Sequence, residues 1–257
     1  MYNNSECTTD EIMAYTASYS FIDGEVALVG TGLPMIAAFL AKLTHAPNCT
    51  LVFESGVMDS NSKHLATGVG DFPLVSHAVK TSSLFDSLSL LQRGNIDLGF
   101  LGAAEIDPYG NINSTVIGDY KHPKIRLPGS GGANDIASAA NRVVIMLKHQ
   151  KRKFVEKLHY VTSPGFLEGN NSREKYGLPG GGPEKVITDL GVFHFDNISK
   201  KMSITSLHPN VSFEQVQNNT GFELELPKKE IPTTSLPSSD IIKKIRKIDP
   251  NGYYINN

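Results

Sequence analysis

Apolar positions in the first two-thirds of the chain form short dense runs, separated by stretches with helical spacing. Thr8-Thr9-Asp10-Glu11 sets a Thr three residues ahead of a Glu, the spacing of a capping box, and predicts a helix running to about Phe21. Glu25 to Val29 reads as a buried strand that Gly30-Thr31-Gly32 breaks. Pro34 then suits a first helical turn, and Met35 to Leu43 is the helix it opens. Thr50 to Phe53 is a second strand. Ser83 to Gln92 is a predicted helix with Leu84, Leu88 and Leu91 on one face and Gly94 at its C-terminal end. Asp97 to Ala103 and Arg142 to Leu147 are further buried strands. Gly129 to Gly132 is a loop that opens a helix over Ala133 to Ala140.

This alternation predicts an α/β fold with a mostly parallel central sheet and flanking helices. The pattern changes after Ser163. Lys185 to Phe195 and Lys201 to Leu207 read as extended segments around a turn, and Ser212 to Asn218 as a short helix. Ser238-Ser239-Asp240 caps a last helix with Ile241, Ile242 and Ile245 on one face, and Pro227 to Pro237 reads as a surface connection. With no clear linker, the expected organisation is one domain over 1–257, with a core at about 10–200 and a C-terminal extension at about 201–257.

Composition narrows the function. The 257 residues are 40% hydrophobic and 19% charged, which is an ordinary globular balance. A net charge of −2 argues against a general nucleic-acid surface. The longest apolar run, Met35 to Ala41, is too short to span a membrane. The N-terminal MYNNSECTTDE resembles neither a secretory nor a transit signal. Two cysteines, Cys7 and Cys49, exclude a disulfide framework and a Cys-rich zinc site and fit a reducing cytoplasm. The eight histidines are scattered without ligand spacing, so no metal is expected.

Three stretches carry candidate chemistry. Gly30-Thr31-Gly32 between strand and helix, with Glu54 beyond, mimics half of a dinucleotide fingerprint, but Met35 stands where that fingerprint needs Gly or Ala. A tight turn, or amides that hold an anion, are the other readings. Glu54 follows the apolar run Leu51-Val52-Phe53, at the strand end where α/β sheets collect ligands. Burial there would raise its pKa and, while it stays ionised, its nucleophilicity toward a thioester or anhydride carbonyl; a solvent-facing strand end is the plain alternative. Gly129-Ser130-Gly131-Gly132-Ala133-Asn134 offers backbone amides to an oxyanion, or is simply a loop before a helix. It lacks the Lys and Ser/Thr of a P-loop. Two basic groups are ambiguous: Lys124 and Arg126 are a solvated pair or a site for a distal carboxylate, and Lys148 to Lys153 is a solvated turn or a contact for coenzyme A phosphates.

Taken together, ordered blocks of residues resemble the class I coenzyme A transferases. The blocks are Glu54-Ser55-Gly56-x-Met58-Asp59, Gly102-Ala103-Ala104-x-Ile106-Asp107-x-Tyr109-Gly110-Asn111, Asn113-Ser114-Thr115, Gly129-x-Gly131-Gly132-Ala133, Val143 to His149, and Tyr160 to Gly165. The similarity is to the β subunit, which carries the catalytic glutamate, and within it to the glutaconate type. It runs from about residue 10 to 250 and is strongest from Gly30 to Gly165.

The resemblance implies a CoA-transferase/NagB-like fold with Glu54 as nucleophile. It implies oxyanion and CoA contacts from Gly129, Gly131, Gly132, Ala133 and Asn134, with Gly30, Gly32, Ser55, Gly56, Asp107, Tyr109 and Asn111 in support. It also implies a separate α subunit in an α2β2 or higher assembly, no tightly bound cofactor, coenzyme A as substrate, and a carboxylic, glutaconate-like dicarboxylic, acceptor. The same scaffold also carries CoA-thioester hydrolases and glutaconyl-CoA-type decarboxylases, which tend to lack a Glu at this place.

Overall fold

A computed structural model describes residues 7–62, 64–225 and 230–255. Its contacts divide the chain into two compact units, Met1–Phe100 with Ser235–Asn257, and Leu101–Thr234.

The first unit is built on β1 (Val26–Leu28), which pairs in parallel with β2 (Thr50–Val52) on one side and β5 (Leu98–Leu101) on the other. Two short strands, β3 (Val57–Met58) and β4 (Lys80–Thr81), extend the sheet antiparallel beyond β2. Buried parallel strands need apolar residues on both faces. Ala27, Leu28, Leu51 and Val52 are accordingly almost fully buried. Helix α1 (Thr9–Ser18) starts at the predicted capping box: the Glu11 amide donates to Thr8 Oγ1, and the Thr8 amide to Glu11 Oε2 at 2.8 Å. Helix α2 (Leu33–Lys42) carries Pro34 in its first turn and buries Met35, Ile36 and Leu40.

Helix α3 (Leu84–Gln92) ends as expected, with Gly94 left-handed at φ +71°. Its predicted apolar face is buried only in part, with Leu91 buried and Leu88 half-buried. Leu84 is 51% exposed, and Ser87 and Leu91 point inward. Helix α7 (Ser239–Ile248) follows the Ser238 cap and returns the C-terminus to this unit. There Arg246 Nε reaches the fully buried Glu11 at 2.7 Å. Glu11 thus both closes a capping box and pairs with an arginine 235 residues away.

In the second unit β10 (Arg142–Met146) pairs in parallel with β11 (Pro183–Ile187). The strands β12 (Gly191–Phe195) and β13 (Met202–Leu207) continue antiparallel from it. Two ribbons, β6 (Glu105–Ile106) with β7 (Ile112–Asn113) and β8 (Val116–Gly118) with β9 (Pro123–Arg126), carry the segments named above. The helices are α4 (Ala133–Ala139), α5 (Ser172–Lys175) and α6 (Phe213–Asn218). The expected α/β architecture is therefore present, with its parallel strands flanked by antiparallel ones. Of the expected surface connection from Pro227 to Pro237, Pro227 to Lys229 lie outside the described residues, as do the first six residues of the chain. The part beyond them bonds to β13: the Leu207 amide donates to Pro232 O and the Thr234 amide to Leu207 O.

Candidate functional site

Gly30 and Glu54 each follow the end of one of two adjacent parallel strands by two residues, so they sit at the same edge of the sheet. Gly32 caps α2 at φ +90°, and Met35 is fully buried beneath it. A glycine at that third position normally lets helix and strand approach closely. Buried Met35 fills that space instead, which removes the dinucleotide reading.

Glu54 is half-buried in a tight turn. The Phe53 amide donates to Val57 O at 2.9 Å, and the Gly56 amide to Phe53 O at 2.9 Å. Two serines brace this turn from outside it. Ser87 Oγ donates to Glu54 O at 2.6 Å, and Ser82 Oγ to Gly56 O at 2.8 Å. Gly56 has φ +96°, and a Cβ there would lie 2.5 Å from Ser82 O. The position therefore admits only glycine, both for conformation and for space. Ser55 Oγ is buried without a hydrogen-bond partner. A buried hydroxyl that pairs with nothing is costly. Asp59, also at positive φ, pairs with Lys42 of α2 and so fixes the far end of the hairpin.

In the second unit the Gly129–Asn134 loop is anchored at its start by two bonds of 2.8 Å, from the Gly129 amide to Ser114 O and from Ser114 Oγ to Gly129 O. The Ala133 amide donates to Ser130 O and the Asn134 amide to Ser130 Oγ. Asn134 Nδ2 reaches Thr162 O at 2.8 Å. Of the five amides read from the sequence as oxyanion donors, those of Gly129, Ala133 and Asn134 are thus engaged by nearby protein groups. The Gly131 amide has no hydrogen bond among the described residues.

Asp107, Tyr109 and Asn111 form one knot. Asp107 accepts from the amides of Tyr109 and Asn111, both at 2.9 Å, and from Asn111 Nδ2 at 2.7 Å. Asn111 Oδ1 then accepts from the amides of Gly165 and Leu167, at 2.7 and 3.0 Å. A Cβ on Gly165 would fall 2.3 Å from Gly110 C, so the two turns pack backbone to backbone. Burial pushes the Asp107 carboxyl up to about 6, against the pull of these hydrogen bonds. The three residues line a cavity of about 800 Å³ with Glu156, Leu158 and Tyr176. These hydrogen bonds tie the Asp107–Asn111 turn to the Gly165 turn.

Ser82, Ser87 and Arg173 carry no mark in the sequence that singles them out. Arg173 is 7% exposed and donates to carbonyl oxygens of Ala137, Ser138, Pro164, Gly165 and Gly180. It ties the C-terminal end of α4 to the Gly165 turn. Burial lowers its pKa to about 10. No local signal points to it, since Ser172 to Lys175 reads as an ordinary charged surface turn. Among the described residues no group of three or more His, Cys, Asp or Glu side chains comes together as a metal site, and no helix is long and apolar enough to cross a membrane.

Comparison with known proteins gives this arrangement a family. A family model described as Coenzyme A transferase matches residues 11–219. The β subunit of glutaconate CoA-transferase from Acidaminococcus fermentans is 42% identical over 263 residues, covering 99% of this chain and 97% of that protein. The β subunit of 3-oxoadipate CoA-transferase from Pseudomonas knackmussii is 43% identical over 248 residues, covering 95% of this chain and 94% of that protein. The crystal structure of glutaconate coenzyme A-transferase from A. fermentans superposes with a TM-score of 0.92 at 41% identity, covering 98% of both chains. By the extent of these matches, the chain belongs to the coenzyme A transferase family.

Proposed function

We propose that this chain is the glutamate-bearing subunit of an enzyme that moves coenzyme A from an acyl-CoA to a carboxylic acid, with Glu54 as the nucleophile. The braced turn that carries Glu54 supports this reading. A nucleophile that must meet a carbonyl in line gains from a backbone held at both ends, because orientation removes part of the barrier.

The reaction proceeds by exchanges of similar energy. The Glu54 carboxylate adds to the thioester carbonyl, the C–S bond breaks, and a mixed anhydride and free CoA thiolate result. The thiolate attacks the glutamyl carbonyl, releases the first carboxylate and leaves Glu54 as its CoA thioester. The acceptor carboxylate then attacks that thioester, and the thiolate returns to the acyl carbonyl, which restores Glu54. Each addition creates an oxyanion, and a hydrogen-bond donor aimed at it stabilises the transition state. One such donor contributes about 3 kcal/mol to the transition state.

The names of the similar subunits suggest a dicarboxylic or 3-oxo dicarboxylic acyl group and a second subunit that completes the enzyme. Apolar side chains exposed in the first unit support such a partner. Phe72, Val79 and Phe85 are 85%, 80% and 76% exposed within a short stretch of chain. The test is intact-mass analysis of this chain, co-purified with its partner, after exposure to glutaconyl-, glutaryl- and acetyl-CoA. A CoA-sized adduct that maps to Glu54 and is absent in Glu54→Ala is expected. Steady release of CoA without an acceptor, and no adduct, would sink the proposal in favour of a hydrolase on the same scaffold.

A further inference from the structure

Resting on the transferase reading, we infer that Ser87 and Ser82 are positioning residues for the chemical step. Each holds a carbonyl of the turn that carries Glu54, and together they set the direction in which the Glu54 side chain leaves the backbone.

Burial alone does not account for Ser87. It is fully buried on the inner side of α3, while Leu84 and Phe85 of the same helix are 51% and 76% exposed. A leucine in its place would bury more apolar surface. The serine hydroxyl has one proton and two acceptors within reach, Glu54 O at 2.6 Å and Leu84 O of its own helix at 2.9 Å. Serines inside helices commonly bond back to their own helix. Here the shorter bond crosses to a residue 33 positions earlier.

That bond completes a clamp on both sides of Glu54. A peptide unit is planar, so each residue turns only about φ and ψ. The unit before Glu54 is held because Phe53 O accepts from the Gly56 amide at 2.9 Å, and the unit after it is held because Glu54 O accepts from Ser87. With both planes fixed, the Cα–Cβ direction of Glu54 is fixed as well. Ser82 secures the end of the same turn: Gly56 O accepts from Ser82 Oγ at 2.8 Å and from the Ser82 amide at 3.0 Å.

A brace is only as stiff as what carries it. Helix α3 starts at Ser83, whose hydroxyl accepts from the Asp86 amide at 3.2 Å and whose amide donates to Asp86 Oδ2 at 3.0 Å. Buried Leu91 anchors its other end. Ser82 follows β4, which is paired to β3 through Thr81 with Val57 and Lys80 with Met58. A Cβ on Gly56 would lie 2.6 Å from Ser83 O, so turn and brace meet backbone to backbone. A small displacement of a nucleophile from its line of attack costs rate without costing affinity.

The experiment is rapid-quench intact-mass analysis of the chain with its partner. It follows the CoA adduct on Glu54 through single turnovers of glutaconyl-, glutaryl- and acetyl-CoA, reading rate and amplitude separately. In Ser87→Ala the adduct should reach the wild-type amplitude with a rate constant at least about tenfold lower, at a half-saturating acyl-CoA concentration within about twofold of wild type. Ser82→Ala leaves the Ser82 amide on Gly56 O and should slow the step by about threefold, while Ser82→Thr keeps the hydroxyl and should restore the rate. Ser89 lies on the same helix but sets its hydroxyl on Phe85 O at 2.6 Å, so Ser89→Ala should leave the rate unchanged.

An unchanged rate constant in Ser87→Ala, or equal slowing in Ser89→Ala, overturns the inference. So does a reduced amplitude at an unchanged rate, the mark of a serine that only keeps the subunit folded. Should Ser87→Ala fail to assemble, the Ser82 pair decides, and equal rates in Ser82→Ala and wild type overturn the inference. Wild type that forms no adduct from any of the three thioesters would overturn the transferase reading, and the positioning role with it.

Discussion

Replacing Arg173 with Met tests the claim that one buried guanidinium holds the second unit's site segments together. Met keeps an unbranched side chain of related length but donates nothing. Five carbonyl oxygens, those of Ala137, Ser138, Pro164, Gly165 and Gly180, lose a donor. Ser138 O keeps the Gly180 amide at 2.9 Å, so four carry most of the loss. An unsatisfied buried acceptor costs about 1–3 kcal/mol. Against this, Met removes the charge penalty that lowers Arg173 to about 10, a return of roughly 3 kcal/mol. Removing one side of a buried charged network costs about 3–5 kcal/mol net, and that is the expected size here.

The assay is amide hydrogen exchange on the assembled enzyme, because it reads local opening in a protein whose global unfolding involves several chains. Peptides that contain Gly165, Leu167 and Gly180 should exchange about 10²–10⁴-fold faster in Arg173→Met, while those of α1 and α2 stay unchanged. Arg173→Lys should rescue little, since an ammonium cannot reproduce the forked reach to carbonyls on both sides. Less than about a tenfold change in those peptides, or full rescue by lysine, would refute the reasoning.

Two buried titrating groups should act on stability with opposite signs. Asp107 is raised to about 6, so the folded state holds its proton more tightly than the unfolded chain and stability falls as pH rises from about 4 to 6. Asp107→Asn should remove that fall, seen as a steeper net gain in urea midpoint over the same range. His149 is lowered to about 4 by burial and stacks on Phe154 at 3.8 Å. The unfolded chain therefore binds the proton more tightly, and stability is lost as pH falls from about 6.5 to 4. His149→Gln should remove that loss, although it also gives up the stacking. An unchanged slope in either variant would show that the group does not titrate as its burial implies. Gly56→Ala should distort the turn that carries Glu54, because its Cβ meets Ser82 O at 2.5 Å. The expected result is at least about a tenfold loss in kcat, and near-normal kcat would show that the turn tolerates displacement.

Much of this protein follows from local sequence. The capping box at Thr8, Pro34 in a first turn, and the apolar runs around Ala27 and Leu51 set helices and strands through short-range sterics and burial, and these lie where the pattern placed them. Glu54 and the glycine loop were legible because strand ends and glycine clusters leave marks over a few residues. The short strands from β6 to β9 were not, since two to four residues carry no period to read. Leu84 faces outward against its helical pattern, while buried Ser87 sets its hydroxyl on Glu54 O. Only tertiary structure could join Glu11 to Arg246, Asn111 to Gly165, or Arg173 to three separate stretches of backbone. It alone could gather Lys124 with Arg152 and Lys153. Such partners are chosen by which backbone and charges lie close in space, and propensity along the chain has no term for that distance.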